Sequence, residues 1–329
     1  MTELAAWVEG ILKGDRALLA RAITLVESHR PEDQPRAVAL IEQLLPHAGG
    51  SVRVGVTGVP GVGKSTLIDR WGGQLIEAGH RVAVLAVDPS SQLTGGSILG
   101  DKTRMTRLAN DPAAFVRPSP TRGELGGVSG RTRESLIVLE AAGYDVVLVE
   151  TVGVGQSETL VRELVDTFLV LLLPGAGDEL QGIKRGIMEM ADLVVIHKCD
   201  GSGSDPARQA AATARRALSV LRPSDTLWKP PVLRCSGLTG EGVAEVWAQV
   251  QAHQSSLKDT GVFQERRQAQ AQAWMWQRVD EGLRRALRSH PQIQEKLAEL
   301  EAQVTEGKMS PSGAAHTLLK TFLGESDHE

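Results

Sequence analysis

Cysteine, aromatic residues and long hydrophobic runs are all scarce in this chain of 329 residues. The only cysteines are Cys199 and Cys235, which excludes a disulfide framework and is typical of a reducing compartment. No stretch approaches the roughly 18 apolar residues of a membrane-spanning helix, and the first residues lack the basic and apolar regions of a signal peptide. We therefore expect a cytoplasmic protein with no membrane partner.

An excess of basic charge is also absent. The chain carries 36 Lys and Arg against 40 Asp and Glu, a formal net charge of -4. Because nucleic-acid-binding domains usually show a basic face, we expect no nucleic-acid partner. Hydrophobic residues make up 41% and charged residues 23%. This is an ordinary globular balance, and the length allows one large core with extensions.

Three regions of the chain differ in their hydrophobic pattern. Residues 1–50 have apolar residues at helical spacing, which predicts an N-terminal helical extension. In residues 51–260, short apolar runs alternate with amphipathic stretches, which predicts an α/β domain. From 261 to 329 the strand pattern stops and only helical patterns remain, which predicts a C-terminal helical arm.

Six apolar runs in the middle region predict buried strands, because parallel strands covered on both faces are almost continuously apolar. The runs are Val52–Thr57, Val82–Val87, Val146–Val149, Phe168–Leu173, Leu193–Ile196 and Val232–Cys235. The helices predicted between them are Lys64–Ala78, Thr132–Ala142, Asp205–Leu221 and Gly242–His253. The alternation predicts a doubly wound, mostly parallel sheet with right-handed crossovers.

The strongest motif is GVPGVGKS at residues 58–65, which matches G-x-x-x-x-G-K-[ST] in full. An apolar run precedes it and an amphipathic stretch follows, as in the P-loop of nucleoside triphosphatases. Glycines let the loop amides point inward as an anion nest at a helix N-terminus. The lysine places a charge on the β- and γ-phosphates, and the serine hydroxyl binds Mg²⁺. The predicted nucleotide-binding residues of this motif are Gly58, Gly61, Val62, Gly63, Lys64 and Ser65.

Carboxylates follow two predicted strands, and Mg²⁺ prefers such oxygen ligands. Asp88 ends one apolar run and Glu150 ends another. Because ligands bind at the carboxyl ends of strands in a doubly wound sheet, both are predicted to face the nucleotide, and Glu150 is also a catalytic candidate. Asp101 could join the same magnesium shell. For either Asp88 or Glu150 alone, a helix cap or a loop charge is the alternative.

Three segments have the composition of nucleotide-sensing switches. In residues 92–107, Lys102, Arg104 and Arg107 could contact phosphate or a partner, with a solvated loop as the alternative. After Glu150, Gly153 resembles the glycine that responds to the γ-phosphate, and Gln156 could position the attacking water or face solvent. A glycine-rich acidic loop at 174–184 is predicted to transmit the nucleotide state. Its candidate residues are Asp178, Glu179, Gln181 and Lys184.

The base-recognition motif N-K-x-D is present in altered form as HKCD. Lys198 and Asp200 stand in place, and the carboxylate is suited to accept the N1–H and amine protons of guanine. His197 replaces the asparagine, and a neutral imidazole could partly substitute because it offers one donor and one acceptor. The affinity could be reduced. A later loop with Ser236, Gly237 and Leu238 resembles the segment that backs the base.

The arm contains two tryptophans in a chain with 3% aromatic residues. Its predicted helices are Gln264–His290, Gln292–Val304 and Pro311–Leu323. Trp274 and Trp276 lie two residues apart, so they cannot share one helix face. Packing within the chain and a dimer contact remain alternative explanations.

Taken in order, GVPGVGKST, VLAVDPSS, GGSILGDKTRM, VETVGVGQSE and LLPGAGDELQGIKRGIMEMAD resemble the MeaB/ArgK-type GTPases that accompany methylmalonyl-CoA mutase. The resemblance covers about residues 10 to 290. It implies a homodimeric chaperone that uses GTP to gate adenosylcobalamin loading and to protect the mutase. It also implies that Thr66 binds phosphate, that GTP/GDP and Mg²⁺ are the ligands, and that Asp178–Lys184 is a third switch.

Other functions share parts of this pattern. An ATP-dependent small-molecule kinase would have a P-loop, but Asp200 favours guanine. A metal-insertion GTPase needs a His- or Cys-rich site, whereas His197, Cys199 and Cys235 lack a fourth ligand. A non-enzymatic scaffold would not need the intact P-loop. The switches contain no obvious arginine finger, which predicts slow intrinsic hydrolysis that a partner stimulates.

Overall fold

The computed structural model describes residues 3–28, 30–88, 105–120, 127–151, 157–175, 185–200, 204–221 and 227–324. At the residues next to the gaps, which are 88, 119–120, 127–130, 157, 185 and 204, only the backbone is described. Elements are numbered in chain order among these residues.

The core of the protein is a seven-stranded sheet in which every pairing is parallel. The strands are β1 (Val52–Gly58), β2 (Val82–Asp88), β3 (Ala114–Pro120), β4 (Val146–Thr151), β5 (Thr167–Leu172), β6 (Leu193–Ile196) and β7 (Val232–Arg234). Their order across the sheet is β3-β2-β4-β1-β5-β6-β7. The neighbours of β1, which are β4 and β5, are buried along their whole length, so the loop after β1 leaves the sheet at its centre.

Thirteen α-helices are described. They are α1 (Glu3–Leu12), α2 (Arg16–Val26), α3 (Gln34–Leu44), α4 (Lys64–Glu77), α5 (Thr106–Asn110), α6 (Gly127–Ala141), α7 (Ser157–Arg162), α8 (Arg185–Met190), α9 (Ser204–Leu221), α10 (Val243–Asp259), α11 (Val262–Ser289), α12 (Pro291–Thr305) and α13 (Pro311–Leu323). Among the described residues, none of them combines the length and apolar character needed to cross a membrane.

The predicted α/β architecture is confirmed, with one strand missed. That strand is β3, whose sequence AFVRPSP contains two prolines and an arginine. Proline cannot donate to the ladder, so it is tolerated mainly at sheet edges, and β3 lies at the edge beside β2. The short helices α5, α7 and α8, of five or six residues, were missed as well.

The helices of the N-terminal extension bury their apolar faces. At the start of α2, the Asp15 carboxylate accepts the backbone N–H groups of Ala17 and Leu18 at 2.8 and 3.0 Å, which satisfies donors that a helix start leaves unpaired. Leu19, Ile23, Leu40 and Leu44 are at most 1% exposed. Arg117 of β3 donates to Glu27, just after α2, at 2.5 Å, so the extension is tied to the edge strand.

Two compact units are present, Met1–Ala271 and Gln272–Glu329, and their boundary falls within α11. The first contains the sheet and its helices. In the second, α12 and α13 pack together, and Ile293, Leu300 and Ala314 are buried. Ser310 caps α13 by accepting the Gly313 N–H at 3.1 Å.

Candidate functional site

The loop between β1 and α4 requires glycine at two positions. Gly58 has a φ of 151°, and a Cβ there would lie 2.7 Å from the Leu171 carbonyl oxygen of β5. Gly63, which precedes α4, has a φ of 99°, and a Cβ would lie 2.6 Å from Cε1 of His197. Both glycines are therefore needed for close packing as well as for backbone conformation.

Lys64 is buried in the first turn of α4 and hydrogen bonds to the loop itself. Its Nζ donates to the carbonyl oxygens of Gly58 at 2.8 Å and Val59 at 3.4 Å. Burial lowers the pKa of Lys64, and the negative charges of Glu150 and Glu158 offset this only in part. An ammonium group held mainly by neutral carbonyls in a desolvated loop is well suited to bind an anion such as phosphate.

Ser65 and Glu150 come together although they are 85 residues apart. The Ser65 hydroxyl donates to Oε1 of Glu150 at 2.9 Å, and Glu150 is 3% exposed near the end of β4. One hydroxyl and one carboxylate at a phosphate loop fit a magnesium site. The backbone of Asp88 ends β2, the strand beside β4, at the same edge of the sheet. Thr66 lies exposed in the first turn of α4.

His197 connects the phosphate loop to the loop after β7. Its Nδ1 lies 2.7 Å from the Val62 carbonyl oxygen, and its Nε2 lies 3.0 Å from the Gly237 nitrogen. A carbonyl can only accept and an N–H can only donate, so the proton is on Nδ1 and the ring is neutral. Burial lowers the pKa of His197, which agrees with this assignment.

The other residues of the HKCD motif also contact both loops. Lys198 has a φ of 58°, and its Nζ donates to the Gly61 carbonyl oxygen at 2.8 Å. Asp200 accepts the Ser236 hydroxyl through Oδ1 at 3.0 Å. Leu238 is 69% exposed at the tip of the same loop. The predicted base-recognition residues therefore lie together beside the phosphate loop.

The two cysteines lie beside this region, each in its own environment. The Cys199 thiol donates to the Ile196 carbonyl oxygen at 3.1 Å. Cys235 is buried, and burial raises its pKa to about 12. Because the backbone engages both ring nitrogens of His197, these three side chains do not form the His- and Cys-rich metal site considered from the sequence.

Two residues that the sequence analysis did not single out belong to this region. Arg70 of α4 donates to the carbonyl oxygens of Leu238 at 2.5 Å and Gly237 at 3.4 Å. Glu158 of α7 is 6% exposed, and its charge acts on Lys64. Arg70 lies 168 residues from Leu238 in the sequence, so no local pattern could reveal that contact. Glu158 lies within the VETVGVGQSE motif, and its position there could have identified it as a site residue.

The remaining predicted switch and metal residues lie outside the described residues. They are Asp101, Lys102, Arg104, Gly153, Gln156, Asp178, Glu179, Gln181 and Lys184. The adjoining segments are described. After the gap at residues 89–104, Arg107, the last residue of the first predicted switch, donates to Glu77 of α4 at 2.5 Å. The Leu108 N–H donates to Asp69 of the same helix at 2.9 Å, so the described end of this segment is joined to the helix of the phosphate loop.

Comparisons with known proteins agree with this geometry. The family described as "Methylmalonyl Co-A mutase-associated GTPase MeaB" matches residues 19–292. The chain belongs to the MeaB family of GTPases. A Mycobacterium tuberculosis protein named as a GTPase is 53% identical over 317 residues, 96% of this chain and 94% of the relative. The mouse "Methylmalonic aciduria type A homolog, mitochondrial" is 48% identical over 323 residues, 95% and 78% of the two chains.

A solved structure also resembles this MeaB-family chain along nearly its whole length. It is titled "Crystal structure of LAO/AO transport system kinase", with a TM-score of 0.75 and 38% identity over 98% of this chain and 99% of that one. The predicted family resemblance is thus confirmed. The chain is a P-loop GTPase that binds guanine nucleotide, as its motifs indicate.

Proposed function

We propose that this MeaB-family GTPase is a cytoplasmic chaperone of methylmalonyl-CoA mutase. In this proposal, GTP binding and hydrolysis gate the loading of adenosylcobalamin into the mutase and protect the mutase from inactivation. The observation that carries the proposal is the family match over residues 19–292, since that family is described as mutase-associated. The functional parts would be the helical extension 1–50, the GTPase domain 51–260 and the arm 261–329.

The chemistry of the site supports a nucleotide cycle. Lys64, held by Gly58 and Val59 carbonyls, would exchange these neutral acceptors for the β- and γ-phosphate oxygens, which are charged and therefore stronger acceptors. Lys198 and Asp200 would bind the guanine base. Gln156 would position the attacking water.

Magnesium fits the same site. Ser65 and Glu150 are already joined by a hydrogen bond of 2.9 Å, and they would hold the ion together with Asp88 and Asp101. A bound Mg²⁺ supplies positive charge that neutralises the phosphates as the γ-phosphoryl group is transferred. The protein's part is to fix the hydroxyl and the carboxylate at one edge of the sheet.

The arm supports a homodimer. Along α11, Met275, Trp276, Val279 and Leu283 are each between 41% and 63% exposed. Met275, Val279 and Leu283 recur every four residues, so they lie along one helix face. Exposed apolar strips of this kind mark interaction surfaces, and an α11–α11 contact between two copies would cover the strip.

Slow intrinsic hydrolysis is part of the proposal, and the mutase would accelerate it. An arginine finger supplied by another protein raises GTPase rates by roughly three to five orders of magnitude. Phosphate release should therefore be measured with GTP alone and with added cobalamin-dependent mutase, using Lys64→Ala as the inactive control. A rate that rises with mutase supports the proposal, and an unchanged rate contradicts it.

Partner capture provides an independent test. The protein is incubated with native extract in the presence of a non-hydrolysable GTP analogue or of GDP, and the recovered proteins are identified. We expect a cobalamin-dependent mutase whose recovery depends on which nucleotide is present. Recovery of no mutase with either nucleotide would contradict the proposed partner but not the GTPase activity.

A further inference from the structure

The imidazole of His197 is the bridge between two loops that are far apart in sequence. Val62 lies 135 residues before it and Gly237 lies 40 residues after it, yet both bond to the same ring. The bonds use both ring nitrogens, one as donor and one as acceptor. Rotation of the ring or a change of tautomer would therefore break both bonds.

The ring also fills the space between the loops. A Cβ added at Gly63 would lie 2.6 Å from Cε1, and one added at Gly237 would lie 2.8 Å from Nε2. His197 itself is 2% exposed. A methyl group at either glycine would collide with the ring, so both loops pack directly against it.

Protonation of this ring would disrupt one of the two bonds. The Gly237 N–H needs the lone pair on Nε2, and an imidazolium has no lone pair there. Two donors would then face each other in a buried site, while the Nδ1–H bond to Val62 would remain. An asparagine in the same place would offer its carbonyl and amide without titrating.

We propose that His197 is a positioning residue that makes guanine-nucleotide binding sensitive to acid: the neutral ring holds the base loop against the phosphate loop, and the protonated ring releases it. This rests on the proposed nucleotide site, since the ring acts only through the loops that enclose the nucleotide.

Several ionisable groups lie on the elements packed against the ring. They are Lys64 and Arg70 of the phosphate loop and α4, Lys198, Cys199 and Asp200 of its own loop, and Cys235 and Glu241 of the β7 loop. Burial is the main cause that lowers the pKa of His197, the charge of Lys198 lowers it further, and the Val62 bond and Asp200 oppose the shift. Proton uptake therefore begins below the ordinary value of about 6.5, and binding is strongest above it.

The sign of the effect follows from linkage. If nucleotide binding requires the neutral ring, the free protein binds more protons than the complex at low pH. Affinity then falls as the pH is lowered, by up to roughly tenfold per pH unit once the free protein protonates. Phosphate groups also titrate near pH 6, so a histidine-free reference is needed to isolate the ring.

The test is a calorimetric titration with GDP from pH 8 to pH 5 on wild type, His197→Asn and His197→Ala. We expect His197→Ala to bind GDP at least roughly tenfold more weakly than wild type at pH 8, because two hydrogen bonds are lost. We expect His197→Asn to restore much of that loss and to be less sensitive to acid than wild type. His47→Asn, at an exposed histidine, should keep the wild-type profile.

The possible outcomes separate this inference from the proposed site. Parallel pH profiles for wild type and His197→Asn would overturn the role of His197 while leaving the nucleotide site intact. Absence of GDP binding by wild type at pH 8 would overturn both. Circular dichroism and thermal unfolding of each variant show whether it is folded. If His197→Ala does not fold, the comparison of wild type with His197→Asn remains decisive.

Discussion

Replacing Arg267 with methionine should strongly destabilise the GTPase unit. The Arg267 guanidinium donates to both carboxylate oxygens of Asp166 at 2.8 Å, and also to the carbonyl oxygens of Gly49 at 2.5 Å and Ser51 at 2.8 Å. These contacts tie the start of α11 to the segments that precede β1 and β5. The Asp166 side chain is 1% exposed and that of Arg267 is 13% exposed.

The expected loss of stability follows from the buried Asp166 carboxylate, which loses its charged partner. Methionine keeps most of the volume but leaves the Asp166 carboxylate buried, with the Arg53 N–H at 3.0 Å and the Gln254 amide at 3.4 Å as weaker partners. Removing one member of a buried ion pair typically costs about 3–5 kcal/mol. For the unit Met1–Ala271, at about 2.1 cal/mol/K of unfolding entropy per residue, this lowers the Tm by roughly 5–9 °C.

Thermal unfolding followed by circular dichroism measures this effect. The control is Arg208→Met, which removes an Arg208–Asp205 pair with a 3.6 Å separation and side chains 69% and 81% exposed. Exposed pairs contribute about 0–1 kcal/mol, so this control should unfold within a degree or two of wild type. Equal shifts for the two variants, or an Arg267→Met protein as stable as wild type, would refute the reasoning.

Three further changes have defined outcomes. Lys64→Ala should lower the kcat for GTP hydrolysis at least roughly a hundredfold, measured as phosphate release, because it removes the ammonium group that donates to the carbonyl oxygens of Gly58 and Val59 in the phosphate loop. Burial lowers the pKa of His253 to about 4. Between about pH 6.5 and pH 4 the unfolded chain therefore binds a proton at this ring that the folded chain does not, and the free energy of unfolding should fall by roughly 3 kcal/mol over this range. Denaturant titrations at several pH values measure this loss. Gly63→Ala should weaken GDP binding roughly tenfold or more in calorimetry, because its φ of 99° and the 2.6 Å approach of His197 leave no place for a methyl group.

Each of these has a contrary result. Unchanged turnover in Lys64→Ala would exclude the phosphate role of this lysine. Because His253→Gln removes the titrating ring, this variant should lose less free energy of unfolding than wild type when the pH is lowered. An identical loss in the two proteins would show that other groups are responsible. Wild-type GDP affinity in Gly63→Ala would mean that the loop can shift away from His197 at little cost.

The central strands could be predicted from the sequence because they are uniformly buried. The apolar runs of β4 and β5 are covered on both sides, so hydrophobicity alone identifies them. At the sheet edge this signal fails, since β3 needs fewer apolar residues and tolerates Pro118 and Pro120. Its position became clear only from its register with β2.

Part of the candidate site could likewise be predicted from the sequence, and part depends on how distant segments pack. The phosphate loop is contiguous in sequence, and the role of its glycines follows from backbone chemistry. The approach of Ser65 to Glu150 could be anticipated because each ends or follows a strand of one parallel sheet. The contact of Arg70 with Leu238 depends on how α4 packs beside the β7 loop, and a single sequence contains no measure of that packing.

The same limit applies to His197. The sequence showed only that an imidazole stood where an asparagine was expected. That the ring bonds to Val62 on one side and to Gly237 on the other is a result of the folded geometry, which sets both its tautomer and its proposed acid sensitivity.

Base recognition by Asp200 is the central claim of this account, and a competition titration tests it most directly. Calorimetry should compare GTP, ATP and xanthosine triphosphate on wild type and on Asp200→Asn, since the amide replaces one acceptor with a donor that suits the extra carbonyl of xanthine. We expect wild type to bind GTP at least roughly a hundredfold more tightly than ATP, and Asp200→Asn to lose GTP and gain the xanthine nucleotide. Equal binding of GTP and ATP by wild type, or an Asp200→Asn protein with unchanged preference, would contradict the claim.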